Sequence, residues 1–228
     1  MSGWLPADPA LLAGVLPAGA MAVRGAFHPD GADGVPAVAG RPAGTLVLLG
    51  WTGGAQWAAF AGSAEAGDGR AEPLDRWTRR LVDAAAAALG ARAAYPGEGP
   101  PFWPFQRWAM RAEGIAPSPL GLLIHRDWGV WHSYRAALVL AGRLDLVAVP
   151  ARTSPCDGCA RPCLEACPVA AFDGAGYDAA GCAAHLAGPV ECLEDGCRAR
   201  VACPVVPPVP YGAAQMRFHM AALRRGFQ

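Results

Sequence analysis

The 228 residues carry nineteen basic and nineteen acidic side chains, so the formal net charge is zero, and apolar residues make up 53%. That composition supports a packed core without covalent staples, and its charge balance shows no electrostatic footprint for nucleic acid. Every basic residue is Arg; with no Lys, the chain forms neither a phosphate-cradling P-loop nor a pyridoxal Schiff base.

Met1 to Pro6 has no basic flank, and the apolar stretch from Leu11 to Val23 is broken by Gly14, Pro17 and Gly19. It reads as neither a signal peptide nor a membrane span. The expected compartment is therefore the reducing cytoplasm, where clustered thiols mean metal more often than disulfides.

Ala20 to Phe27 and Thr45 to Trp51 are short apolar runs bounded by Gly and Pro, as buried strands are. Pro73 to Leu89 predicts a helix. Pro73 suits its first position, Asp75 its first turn and Gly90 its stop, with Leu74, Trp77, Leu81, Ala85 and Ala88 on one face. Phe105 to Ala112 predicts a shorter helix ending at Gly114. Leu120 to Ile124, a stretch within Val130 to Leu140, and Leu146 to Val149 are further strands; the middle one, rich in Ala, also fits a helix. Tyr211 to Gly226 predicts a terminal amphipathic helix with Met216, Met220, Leu223 and Phe227 on its apolar face. Mixed elements in this order predict an α+β or α/β layered fold.

All eight cysteines lie between Cys156 and Cys203. This break in composition sets an expected boundary near Pro150, dividing an α+β domain over 1–150 from a cysteine-rich domain over 151–228. The first run is Cys156-x2-Cys159-x3-Cys163-x3-Cys167-Pro168; the second set is Cys182, Cys192, Cys197 and Cys203-Pro204. Eight thiolates suit two [4Fe–4S] clusters, each needing four. In bacterial two-cluster ferredoxins the cysteine before proline serves the other cluster. By that rule Cys156, Cys159, Cys163 and Cys203 hold one cluster, and Cys167, Cys182, Cys192 and Cys197 the other. The second set is widely spaced, with gaps of nine, four and five residues, so its loop is enlarged and its partition less fixed. Structural zinc in two four-cysteine sites is the competing chemistry. It prefers paired C-x2-C knuckles, of which Cys156–Cys159 is one. Two clusters make an electron path, so the expected partner is another redox protein or a low-potential electron donor.

Upstream, Pro101 to Trp108 concentrates aromatics. The stretch from Gly121 to Trp131 then reads as an apolar strand ending at His125, a turn at Trp128-Gly129, and a second apolar run. These residues could line a flat cofactor pocket, or fill a core in the ordinary way.

The order of pieces resembles epoxyqueuosine reductase and, more loosely, the reductive dehalogenases and cobalamin-processing proteins. The matching residues are Gly121-Leu122-Leu123-Ile124-His125, Gly129-Val130-Trp131 and Cys182-Ala183-Ala184-His185-Leu186, within roughly 95–205. The resemblance implies a nitroreductase-like α+β domain followed by a small bacterial-ferredoxin-like dicluster domain. It also implies a corrinoid pocket at His125, Trp128, Gly129 and Trp131, with the clusters feeding electrons to the corrinoid; a corrinoid-processing or reactivating protein is the related alternative. The reductases use a carboxylic acid in a loop before the glycine-rich strand. The equivalent stretch here, Tyr95 to Pro100, does not match that motif and offers only Glu98. The specific activity is therefore not carried over, and no catalytic residue is assigned.

Overall fold

The computed structural model describes residues 3–8, 10–151 and 153–227. The chain divides into two compact units, Met1–Ile115 with Ser133–Arg152, and Ala116–His132 with Thr153–Gln228. Sequence composition places the change of unit near Pro150. In the structure the chain crosses at 115/116, 132/133 and 152/153, so the 116–132 segment clusters with the cysteine-rich region.

The first unit is a layered α/β body. Its strands and helices are β1 (Gly3–Pro6), β2 (Ala22–Phe27), β3 (Thr45–Thr52), α1 (Trp57–Ala61), α2 (Ala64–Gly67), α3 (Pro73–Leu89), β4 (Arg92–Ala94) and α4 (Phe105–Glu113). Four strands form one sheet in the order β2-β3-β7-β4, where β7 is His132–Leu140. A separate two-stranded sheet pairs β1 with β8 (Leu146–Val149).

The ambiguous segment after Val130 is thus a strand. As an interior member of the sheet it is covered on both faces, and Ala136 to Val139 are fully buried. The small side chains that fit a helix equally well are what close packing on two faces admits. On one face α3 lays Val82 and Ala86 against Ala26, Val47, Leu49, Ala136 and Leu138. At about 25 cal/mol per Å² of apolar surface, each such large side chain contributes roughly 1.5–3 kcal/mol of burial. On the other side Gly25 lets the α4 backbone approach: a Cβ there would stand 3.0 Å from Ala112. The expected helices match observed ones over Pro73–Leu89 and Phe105–Glu113, and both stop at a left-handed glycine, Gly90 and Gly114.

One buried ion pair sits in this unit. The Arg24 guanidinium grips both carboxylate oxygens of Glu113, at 2.9 and 3.0 Å, and donates to the Trp51 carbonyl. The Tyr134 hydroxyl donates to the same carboxylate at 2.8 Å. Burial pushes the Glu113 carboxyl up, against the opposing pull of Arg24 and Tyr134.

The second unit holds β5 (Ala116–Pro117), β6 (Leu123–Ile124) and five helices: α5 (Pro162–Glu165), α6 (Ala179–Leu186), α7 (Glu191–Asp195), α8 (Arg198–Val201) and α9 (Ala213–Arg225). The strand expected over 120–124 shrinks to Leu123–Ile124, because Ser118 to Gly121 forms a turn with Gly121 at φ +72°. In α9 most of the expected apolar face is turned inward: Phe227 packs on the same cluster as Met220, and Met216 is half-buried. Met220 is buried, but Leu223 is exposed and Gln215 is fully buried. The helix packs on α7. Among the described residues, no helix is long and apolar enough to cross a membrane.

Candidate metal centre

All eight cysteines are free and lie in the second unit. The first loop is shaped by turns. The Ser154 hydroxyl accepts from the Cys156 amide at 3.2 Å, and the Cys159 amide returns to the Cys156 carbonyl. Gly158 at φ +75° lets the chain reverse between those two cysteines. Pro162 then opens α5 and delivers Cys163. The result is a cavity lined by Cys156, Cys159, Cys163 and Cys203, with an apolar wall that includes Leu120, Ile124 and Val130.

The thiols in this cavity burden one another. Burial pushes Cys156 up; the Ser154 hydrogen bond opposes this, and the neighbouring Cys159, Cys203 and Cys163 add to it. Cys163 is raised by burial and by Cys203. Four ionised sulfurs in an apolar pocket are unfavourable by themselves, and a cationic metal core is what relieves them. The Arg161 amide, 3.4 Å from the Cys159 sulfur, supplies a hydrogen bond of the kind that supports a coordinated thiolate.

The second set collects around Tyr177. Cys167 receives the Ala171 amide on its sulfur at 3.3 Å. Phe172 and Tyr177 bridge as paired backbone and stack at 4.9 Å. Asp178 caps α6, which carries Cys182. Burial first, then a hydrogen bond to Cys182 and the charges of Cys182, Cys197 and Cys167, push the Tyr177 phenol up. Cys192 rides on α7, and Cys197 stands at the N-cap of α8. Burial raises Cys197, while the Arg200 and Ala199 amides and the Arg200 charge pull it down. Cys192 and Cys197 both border the apolar cluster of Leu186 and Met220.

The structure therefore brings Cys156, Cys159, Cys163 and Cys203 to one cavity, while Cys182, Cys192 and Cys197 border the cluster of Leu186 and Met220, and Cys167 acts with Cys182 and Cys197 on the Tyr177 phenol. Neither grouping converges on a point: among the described residues, no three His, Cys, Asp or Glu side chains meet closely enough to hold a single ion. The first set instead rings a cavity, as ligands to the corners of a polynuclear core do. Buried polar atoms in the same unit also lack protein partners, namely Arg200 Nε, His185 Nε2 and both amide atoms of Gln215. The four thiols around the cavity are a donor set that fits a thiolate-ligated cluster in this unit.

The corrinoid-pocket residues lie on a tight hairpin. His125 and Gly129 exchange backbone hydrogen bonds at 2.9 and 2.8 Å. The Trp128 ring stacks on His125 at 3.9 Å, and the Asp127 amide donates to His125 Nδ1. Trp131 lies beneath the Arg200 guanidinium, 4.6 Å from the ring centroid, and beside Tyr211. From this hairpin the cysteine cavity takes Ile124 and Val130 as walls, not His125, Trp128, Gly129 or Trp131. Glu98, in the first unit, accepts from the Trp103 indole at 3.0 Å. Ser154, Tyr177 and Arg200 were not legible as site residues. Proximity of Ser154 and Arg200 to cysteines in the chain was the available signal, and Tyr177 gave none beyond being aromatic.

No family model matches the chain, and no curated protein does. Among solved structures, an epoxyqueuosine reductase from Bacillus subtilis aligns with 77% of this chain and 52% of its own, at 17% identity and a TM-score of 0.47. Another, from Streptococcus thermophilus, aligns with 80% of this chain and 62% of its own, at 14% identity and a TM-score of 0.43. The chain thus matches between half and two thirds of each of those proteins. The cysteine geometry, not this likeness, carries the functional reading.

Proposed function

We propose that the chain is an iron–sulfur redox protein whose second unit holds two [4Fe–4S] clusters, one on Cys156, Cys159, Cys163 and Cys203 and one on Cys167, Cys182, Cys192 and Cys197. The observation that supports this is the cavity ringed by Cys156, Cys159, Cys163 and Cys203, with Cys203 joining the first run across forty residues of sequence. The clusters supply reversible one-electron transfer at low potential. The chain's own residues hold the thiolates, donate amide hydrogen bonds to sulfur and wall the first set with apolar side chains. The expected partner is a low-potential one-electron donor or a second redox protein.

Anaerobic purification with iron, acid-labile sulfide and zinc analysis tests this. About eight iron and about eight sulfide per chain are expected. Zinc in place of iron overturns the reading. A cobalamin titration on the same material decides the remaining question of what the electrons reach. Uptake with a spectral change places a corrinoid-dependent reduction at the end of the path, and its absence leaves an electron carrier.

A further inference from the structure

Helix α8 carries two arginines, and they differ. Arg198 pairs with the Glu191 carboxylate at 3.4 Å. Arg200 pairs with no carboxylate among the described residues. Its Nη2 donates to the Val130 carbonyl at 2.8 Å, and its guanidinium lies between two rings, 4.6 Å from Trp131 and 5.7 Å from Tyr211. Its Nε is buried with no acceptor. A guanidinium is always charged, and a neutral carbonyl and two aromatic faces do not neutralise it. Holding the Nε of a half-buried guanidinium away from water without an acceptor is unfavourable unless an anion stands nearby. No carboxylate among the described residues pairs with it, whereas Cys197 precedes Arg200 by three residues and Cys203 follows by three. Val130 and Trp131, which hold the guanidinium, pack with Cys203 and Cys156 in one apolar cluster, and Val130 lines the cavity of Cys156, Cys159, Cys163 and Cys203.

We propose that Arg200 is the fixed counter-cation of the cysteine-ligated centre containing Cys203, and that it makes that centre easier to reduce. This rests on the iron–sulfur reading above. In reduction one electron arrives from a low-potential donor, no proton is taken up, and the centre becomes one unit more negative. A cation held nearby favours that added charge, because the field of a fixed charge is strong where water is excluded. Arg200 is a positioning residue in this scheme; it acts through the centre's charge and touches no substrate.

The test is an EPR-monitored redox titration of the holoprotein with dithionite as donor, comparing wild type with Arg200→Gln and Arg200→Lys. Arg200→Gln is expected to weaken reduction of one centre at least threefold, which is about 28 mV at 59 mV per tenfold for a one-electron couple. Iron content stays unchanged, and Arg200→Lys lies nearer to wild type. A merely structural role moves stability and not potential. Retained iron with both potentials within threefold of wild type in Arg200→Gln overturns the inference. If Arg200→Gln loses iron, Arg200→His decides. Its imidazole titrates near neutrality, so the potential must rise between about pH 8.5 and about pH 5.5 by more than wild type does. No excess rise overturns the inference. Wild-type protein without iron instead defeats the iron–sulfur reading itself, and the two failures are distinguishable.

Discussion

A Cβ on Gly129 would lie 2.7 Å from the carbonyl oxygen of Val205. Gly129 also adopts φ +54°, closing the His125 hairpin in the left-handed region. The turn therefore meets the chain immediately after Cys203-Pro204, and only a residue without a side chain permits that approach. Gly129→Ala must either push Val205 away or open the turn. The expected loss is about 1–3 kcal/mol in unfolding free energy. Because Val205 lines the first cysteine cavity, iron is expected to fall toward about four per chain. Iron analysis with chemical denaturation checks this, and full iron at wild-type stability contradicts it.

The partition of the cysteines has a sharper consequence. Serine is a poor replacement for a cluster thiolate, so each single variant is expected to lose one cluster and keep about four iron. Cys156→Ser combined with Cys203→Ser removes two ligands of one centre, so the double variant keeps about four as well. Cys167→Ser combined with Cys203→Ser removes one ligand from each centre and leaves about none. Equal iron in the two double variants contradicts the crossing of the proline-flanked cysteines.

That Cys156, Cys159, Cys163 and Cys203 would share one cavity was legible because metal-type cysteine spacings survive in sequence. The helix over Pro73–Leu89 was legible for a similar reason, with a proline start, a glycine stop and a strong apolar face. The strand over His132–Leu140 was not, since burial on both faces erases the alternation that marks a half-exposed strand. Nor was the burial of Gln215 on α9, since a polar residue beside an apolar stripe reads as solvated in sequence. The membership of residues 116–132 in the cysteine-rich unit is a long-range contact that composition does not report. Arg200 looked like any surface arginine until its missing carboxylate became visible.

Arg24 and Glu113 make a separate prediction about the first unit. Their side chains are 0% and 5% exposed. Removing one member of a buried pair leaves the other charge uncompensated, which costs about 3–5 kcal/mol. Arg24→Met is therefore expected to destabilise strongly. Arg24→Met together with Glu113→Leu should recover most of that loss, because neither charge then remains buried. Tyr134 loses an acceptor in the double variant, so recovery is incomplete by about 1 kcal/mol. A double-mutant cycle on urea midpoints reads the coupling, and additive losses contradict it.

Glu65 sets a pH dependence of known sign. Its carboxylate is held to about 2, below its ordinary 4.5, chiefly by the Arg80 hydrogen bond, with burial opposing. The native state thus binds this proton less readily than the unfolded chain. Between pH 4.5 and about 2 the unfolded chain carries more of it, so stability falls as pH falls through that window. Above 4.5 the contribution is complete, and below about 2 it is gone. The Arg80 side chain is 56% exposed, so solvent screening holds the effect to about 1 kcal/mol or less. Glu65→Gln removes the titrating group and keeps a hydrogen-bond acceptor. The stability difference between wild type and Glu65→Gln is expected to be constant above pH 5, to shrink as pH drops, and to close near pH 2. Paired denaturation curves at matched ionic strength remove changes common to both proteins. A difference that stays level across the acid range contradicts the Arg80 hydrogen bond as the cause.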